Sequence, residues 1–239
     1  MLRLLVLAAI AGAFWTDEKL FTWPRALLAT YVADDALRVV VQEGRRSDRS
    51  VSVCCNSILS ATHATWASVA SVYLLLHVHA DHVPTEPLAR TASVFLAYLS
   101  WDLTHLLTEP RFLRVPWKYV LHHLAYIGLV LVNRDTVEFN YVFPLLYVQD
   151  LSSVFLNLRR ICHEFGWDDT YVSLTFVVTF FLMRVVLHGA VVVHVLANSR
   201  LLGQTVPIGV WSAYVLGVPV MYGLNLVWWS HIVRHARAR

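Results

Sequence analysis

Long apolar stretches broken by short polar loops dominate the chain. Crossing a hydrocarbon core of about 30 Å takes roughly 20 helical residues, and six runs approach or exceed that length: about 51–78, 88–107, 118–133, 137–158, 170–197 and 206–233. The third is the shortest and the most interrupted by polar groups. A further run, Leu2 to Trp15, starts with a basic residue and ends in Ala11-Gly12-Ala13, so it resembles a cleavable signal. Cleavage would leave the next segment outside the cytosol, against the charge of Arg45, Arg46 and Arg49. An uncleaved first helix is therefore expected. The pattern predicts an all-α, multi-pass transmembrane bundle of six core helices plus an N-terminal helix. Residues 1–44 form the N-terminal hydrophobic helix and an interfacial segment, 45–235 the core domain and 236–239 a basic tail. Trp23-Pro24-Arg25 and Asp34-Asp35 interrupt the segment before the core, which reads as an interfacial helix or helix extension.

Every core helix also carries a polar stripe. Residues three or four apart share a helix face. Asn56, Ser60 and His63 align on the first, and Tyr98, Asp102 and His105 on the second. Tyr119, His123 and Tyr126 align on the third, with His122 turned about 100° away. Asp150, Ser153 and Asn157 mark the fourth, Arg184 and His188 the fifth, and Tyr222, Asn225 and Trp229 the sixth. Ionisable side chains at bilayer depth cost about 2.5–3.5 kcal/mol each on insertion scales, so these stripes are expected to face a polar central cavity. Plainer roles exist. Asn56, Ser60 and Asn225 suit interhelical hydrogen bonds. Arg184 suits a buried ion pair with Asp150 or Asp102, and Asp102 could orient His105 one turn later.

The adjacent His122 and His123 stand apart, because two imidazoles at depth pack no better than leucines. An imidazole beside a carboxylate can serve as a general base or a nucleophile. His122, His123, Asp150 and Asp102 are therefore the candidate catalytic set. His63, Tyr98, His105, Ser153, Asn157, Arg184, His188 and Asn225 are the candidate lipid-binding residues. The pair is part of no HxxxH motif, so no metal is expected there. His77, His79, Asp81 and His82 crowd one loop, for which a solvated loop is the preferred reading.

Composition agrees. Of 239 residues, 57% are hydrophobic and only 15% charged, and mean hydropathy is +0.56; a soluble domain is about one quarter charged. The net charge is +3. Its distribution matters more, because basic residues cluster before the first core run and after the second, fourth and sixth, which puts both ends of the core in the cytosol. No nucleic-acid motif accompanies these loops. Cys54, Cys55 and Cys162 fall near cytosolic helix ends, where no disulfide is expected.

Together these residues resemble a TLC domain, the module shared by TRAM, Lag1-type ceramide synthases and CLN8-like proteins, over about Arg45 to His235. Asn56-x3-Ser60-x2-His63-Ala64 is similar to the family's opening N-R-x-x-S-x-x-H-A, with Ser57 in place of the basic residue. Tyr98 to Asp102 and His122-His123 fit the following elements. Asp150 to Arg159 resembles E-x-S-x-P-F-x-N-x-R, with Asp150 for Glu and Val154 for Pro. Phe180 to Arg184 and Asn225-x2-Trp228-Trp229 fit the closing ones. Ceramide synthases carry H-D-x-x-D-x-x-L-E-x-x-K after the paired histidines; laid on Asp150, that pattern finds Gln149, Ser153, Leu156, Asn157 and Arg160, so its second Asp and its Glu are missing. The resemblance implies a small TLC-domain protein of lipid homeostasis in the endoplasmic reticulum or early secretory pathway. It would bind or modify a membrane lipid of the ceramide or phospholipid class. A ceramide synthase-like acyltransferase and a cargo adaptor or non-enzymatic membrane-composition regulator are the alternatives. No cofactor is expected; acyl-CoA would be co-substrate in an enzyme. Expected partners are a membrane lipid and further copies of the chain, with no nucleic acid.

The charge pattern is testable. With the native cysteines replaced, a cysteine at Arg234 should react with an impermeant maleimide from the cytosolic side. One at Arg200 should react only from the other side, and the reverse labelling contradicts the orientation.

Overall fold

The computed structural model describes residues 22–42, 48–77, 85–108 and 117–237. The expected helix at Leu2 to Trp15, the loop residues His79, Asp81 and His82, and Arg45, Arg46, Arg111 and Arg114 lie outside them. Helices α1 (Thr22–Gln42), α2 (Asp48–His77), α3 (Glu86–Thr108) and α4 (Trp117–Asn133) lead into α5 (Phe139–Tyr147), which passes through a 3₁₀ turn, Val148–Asp150, into α6 (Leu151–Phe165). Then come α7 (Thr170–Phe180), a π-helical segment Phe181–Leu187 and α8 (His188–Ala197) as one rod. The short α9 (Ser199–Thr205) precedes a last rod made of α10 (Ile208–Ser212), a π-helical segment Ala213–Gly217 and α11 (Val218–Arg237). Among the described residues there are no strands.

Three helices among the described residues are long and apolar enough to cross a membrane: Val51–His77, Thr170–Ala197 and Ile208–Ala236. They coincide with the first, fifth and sixth expected runs. Their outward faces are apolar, with Val69, Leu76, Val193 and Ile208 all more than 60% exposed. A soluble protein would bury such side chains; lipid is their solvent here.

Small residues set the tightest packing. On α2, Cys54, Cys55, Ala67 and Ser71 are completely buried, and Ser57 and Ala64 nearly so, so neighbouring backbones can approach closely. That face lies mainly against α6, with α5 and α1 beside it. Several buried hydroxyls of α2 and α3 are satisfied within their own helix. Ser68, Thr91, Ser93 and Thr104 each donate to the carbonyl four residues back. The α1 segment packs on α3 and α2. Its Asp34 is 1% exposed and pairs with Arg38 at 3.2 Å, which explains how an acidic residue enters an apolar stretch.

The aromatic centre of the core is built on α5. Phe139, Phe143 and Tyr147 recur every four residues and stack at 4.7 and 5.1 Å, with Phe95 of α3 4.5 Å from Tyr147. Pro144 lies inside α5 and has no N–H to give its helix. The tighter 3₁₀ turn follows four residues later and brings Gln149 and Asp150 to face the π-helical segment. At the start of α7, Asp168 accepts from the Thr170 amide at 3.0 Å and hydroxyl at 2.7 Å. These bonds favour the carboxylate and hold its pKa below the ordinary value.

Gly166 ends α6 with φ +69°, while the amide of Trp167 returns to the carbonyl of Cys162 at 2.9 Å. A Cβ there meets no neighbouring atom within 4 Å, so only backbone strain opposes it. Gly166→Ala should cost about 1–2 kcal/mol, read as a lowered thermal midpoint of the detergent-solubilised protein. An unchanged midpoint contradicts this.

Candidate functional site

Asp102 near the end of α3 meets His123 near the start of α4. The His123 Nε2 lies 2.8 Å from Asp102 Oδ2, and Nδ1 lies 2.7 Å from the carbonyl oxygen of Tyr119. A carbonyl only accepts, so Nδ1 carries a proton. A second proton lies between Nε2 and the carboxylate. Both ring nitrogens are thus committed, and the ring is fixed in place and in tautomer. Of the two expected orienters, Asp102 takes His123; Asp150 has another partner.

His122 is held differently. Its ring packs edge-on against Tyr126 at 4.9 Å and Trp228 at 5.1 Å, and Trp228 belongs to α11. The His122 Nδ1 is buried and has no hydrogen-bond partner among the described residues. Leaving such a group unsatisfied costs about 1–3 kcal/mol. Adjacent in sequence, the two imidazoles therefore differ sharply: one is saturated and one has an open position.

Asp150 pairs with Arg184 of the π-helical segment at 3.0 Å, and the guanidinium also donates to Ser152 at 2.8 Å and Ser153 at 2.9 Å. Phe180 covers it, with its ring centroid 5.8 Å away. His188, one turn on, is fully buried. Its Nε2 donates to the Val218 carbonyl at 3.2 Å and its Nδ1 accepts from the Asn225 amide nitrogen at 2.9 Å, while the Gln149 side-chain oxygen lies 2.9 Å from Nδ1. Three elements, α11, the 3₁₀ turn and the rod of α7 and α8, are thereby tied at one level. Asp150 and Arg184 lie within electrostatic reach of the histidine pair. The two ion pairs share one neighbourhood.

A third group lies on α2. His63 stacks on Tyr98 at 3.7 Å and meets the Tyr147 hydroxyl through Nε2 at 2.9 Å. The Tyr98 hydroxyl donates to Ser60 at 3.0 Å, and Ser60 reaches Asn56 at 3.4 Å. His105 is buried against Trp101. Asn157 donates to the carbonyl of Ser153 on its own helix at 2.8 Å. The polar groups thus meet one another. Two cavities lie elsewhere: a small apolar one between Tyr126 and Tyr147, and one beside Glu138, Tyr141 and His194. Neither is lined by His122, His123, Asp102 or Asp150.

Sequence reading missed Tyr147, Gln149 and Ser152. Tyr147 sits in an apolar run, although it lies three residues before Asp150. Gln149 lies off the face shared by Asp150, Ser153 and Asn157, and the 3₁₀ turn is what brings it to His188. The Tyr126–Trp228 frame around His122 could not be read because it joins two helices distant in sequence.

A family model described as TLC domain matches residues 53–234, well over half of the chain. No curated protein matches the chain.

Asp150→Asn should leave the Arg184 guanidinium buried without its counter-charge and lower unfolding stability by about 3–5 kcal/mol. Pairing Asp150→Asn with Arg184→Met should recover most of that loss. Additive losses in the double variant would contradict a paired role.

Proposed function

The chain belongs to the TLC domain family, and on that footing we propose that it is a multi-pass lipid-handling protein whose helical core receives the polar headgroup of a membrane lipid against His122. One observation carries this reading: the Nδ1 of His122 is buried and unpartnered, while the neighbouring His123 is saturated by Asp102 and the Tyr119 carbonyl. An orphan acceptor or donor inside a bundle is satisfied by whatever polar group enters beside it. Tyr126 and Trp228 supply apolar walls that suit the upper part of a lipid. Membrane character and family support lipid as the partner class. In this reading α3, α4 and the α5–α6 rod complete six core spans, the C-terminus is cytosolic, and the protein acts in lipid homeostasis in the endoplasmic reticulum or early secretory pathway.

Acyl transfer is the second reading, favoured by the same open nitrogen. The His122 imidazole would take the proton of a lipid hydroxyl or amine as that group attacks an acyl thioester. The C–S bond breaks, the new ester or amide bond forms, and the departing thiolate takes up the proton. The Asp102–His123 pair then acts on position rather than as the base, since neither nitrogen of His123 is open.

Two measurements separate the outcomes. Mass spectrometry of lipid retained by the purified protein should show one class enriched over the surrounding membrane. His122→Ala should lose that enrichment, and equal profiles contradict the site. Incubation with acyl-CoA and lipid amines or alcohols should give a product whose rate falls at least about 100-fold in His122→Ala if the imidazole is the base. Enrichment without product establishes the binder and excludes acyl transfer to those acceptors.

A further inference from the structure

The cavity beside Glu138 lies at the opposite end of α4 from the histidine pair. His123 and Asn133 are ten residues apart, about 15 Å along a helix axis, and Glu138 follows beyond. The cavity has a volume of about 190 Å³. Glu138 and Tyr141 come from the start of α5, His194 from the end of α8, and Leu201 and Thr205 from α9. Trp211 fixes the α9 wall by donating to the Ser199 carbonyl at 2.8 Å, so the pocket has a braced side.

Its polar groups divide into those already engaged and those open. The Thr205 hydroxyl returns to the Leu201 carbonyl at 3.2 Å, and the Asn198 amide to the His194 carbonyl at 2.8 Å. The nearby Arg134 faces Asp135 at 3.5 Å. No hydrogen bond or ion pair among the described residues engages the Glu138 carboxylate, the Tyr141 hydroxyl or the His194 ring nitrogens. The Tyr141 and His194 rings meet at 5.7 Å and 86°, making an aromatic corner beside the carboxylate.

These features select a ligand class. A carboxylate repels anions and would be left unpaired by a neutral group. Among the described residues no group of three or more His, Cys, Asp or Glu side chains could hold a metal ion. A carboxylate flanked by aromatic faces suits an organic ammonium, through a charge-assisted bond and cation–π attraction. The volume equals that of about six water molecules, more than a bare ion needs. Leu201, which lines the pocket, is exposed and apolar, and Val142, Val195 and Leu202 line it beside Leu201, which suits the chain of an amphiphile. We propose that the pocket of Glu138, Tyr141 and His194 is a second binding site, which takes the ammonium group of an amine-bearing amphiphile, separate from the site at His122.

The test uses the full-length protein in phosphatidylglycerol nanodiscs, which contain no amine. Dioleoylphosphatidylethanolamine and its N-acetylated analogue are added in turn, and retained lipid is counted by native mass spectrometry. The amine form should be retained about tenfold better than the N-acetyl form. Glu138→Gln should abolish the preference, Tyr141→Leu should weaken it, and His122→Ala should leave it intact. The comparison of the two lipids needs no variant, so misfolding of Glu138→Gln does not hide the answer. Displacement by millimolar free ethanolamine supports the ammonium site and assigns its source to a soluble amine; resistance to it assigns the source to the lipid. Equal retention of both lipids, a preference that survives in folded Glu138→Gln, or one that vanishes in His122→Ala overturns the proposal.

Discussion

Polar groups cannot turn to water inside a bilayer, and the rest of this structure follows from that constraint. Each buried donor or acceptor must find a partner in the bundle, at a cost of several kcal/mol when it does not. The response here includes two ion pairs between helices and a set of amide and hydroxyl bonds that join one helix to another. Asp102 with His123 ties α3 to α4, and Asp150 with Arg184 ties the α5–α6 rod to the rod of α7 and α8. His188 then draws α11 in through the Val218 carbonyl and Asn225. Breaking either pair leaves a charge without its partner, so the pairs specify which helices are neighbours more than they add net stability.

Against that background His122 is a departure, shared by the Ser71 hydroxyl and the side-chain oxygens of Asn133 and Asn225, but it is the one imidazole among them. Its neighbour is held at both nitrogens, Arg184 donates to three oxygens, and His188 is enclosed on all sides. His122 is instead gripped by its ring edges and keeps Nδ1 open. Rigid aromatic walls on two helices with an unsatisfied nitrogen between them are the parts a headgroup site requires. The irregular stretches fall close by: the π-helical segment carries Arg184, and the 3₁₀ turn carries Gln149 and Asp150. Such interruptions of α-helix recur where side chains must be aimed at a site.

Helicity and the individual polar stripes were legible because both are local. Apolar runs mark helices, and spacing by three or four marks a face. The sequence also made Arg184 a partner for Asp150 or Asp102, but choosing between them needed the helix packing. The same holds for His123 and Asp102, whose contact is a matter of how α3 and α4 cross. Two features had no local signal. The open and closed states of His122 and His123 depend on Tyr119, Tyr126 and Trp228. The pocket at Glu138 depends on α9 folding back beside α8. In α1 the Asp34–Arg38 pairing follows from their spacing of four, whereas the packing of that helix on α2 and α3 does not.

Lipid entry at His122 is the central claim, and headgroup photo-crosslinking in bilayers tests it most directly. A phospholipid or sphingolipid bearing a diazirine at the headgroup would be activated in membranes holding the protein, and adducts mapped by peptide mass spectrometry. α4 carries an internal control, since Leu121 and Leu124 face outward while His123 and Tyr126 are buried. The account predicts adducts on His122, Tyr126 and Trp228. Adducts confined to Leu121, Leu124 and other outward side chains would contradict it.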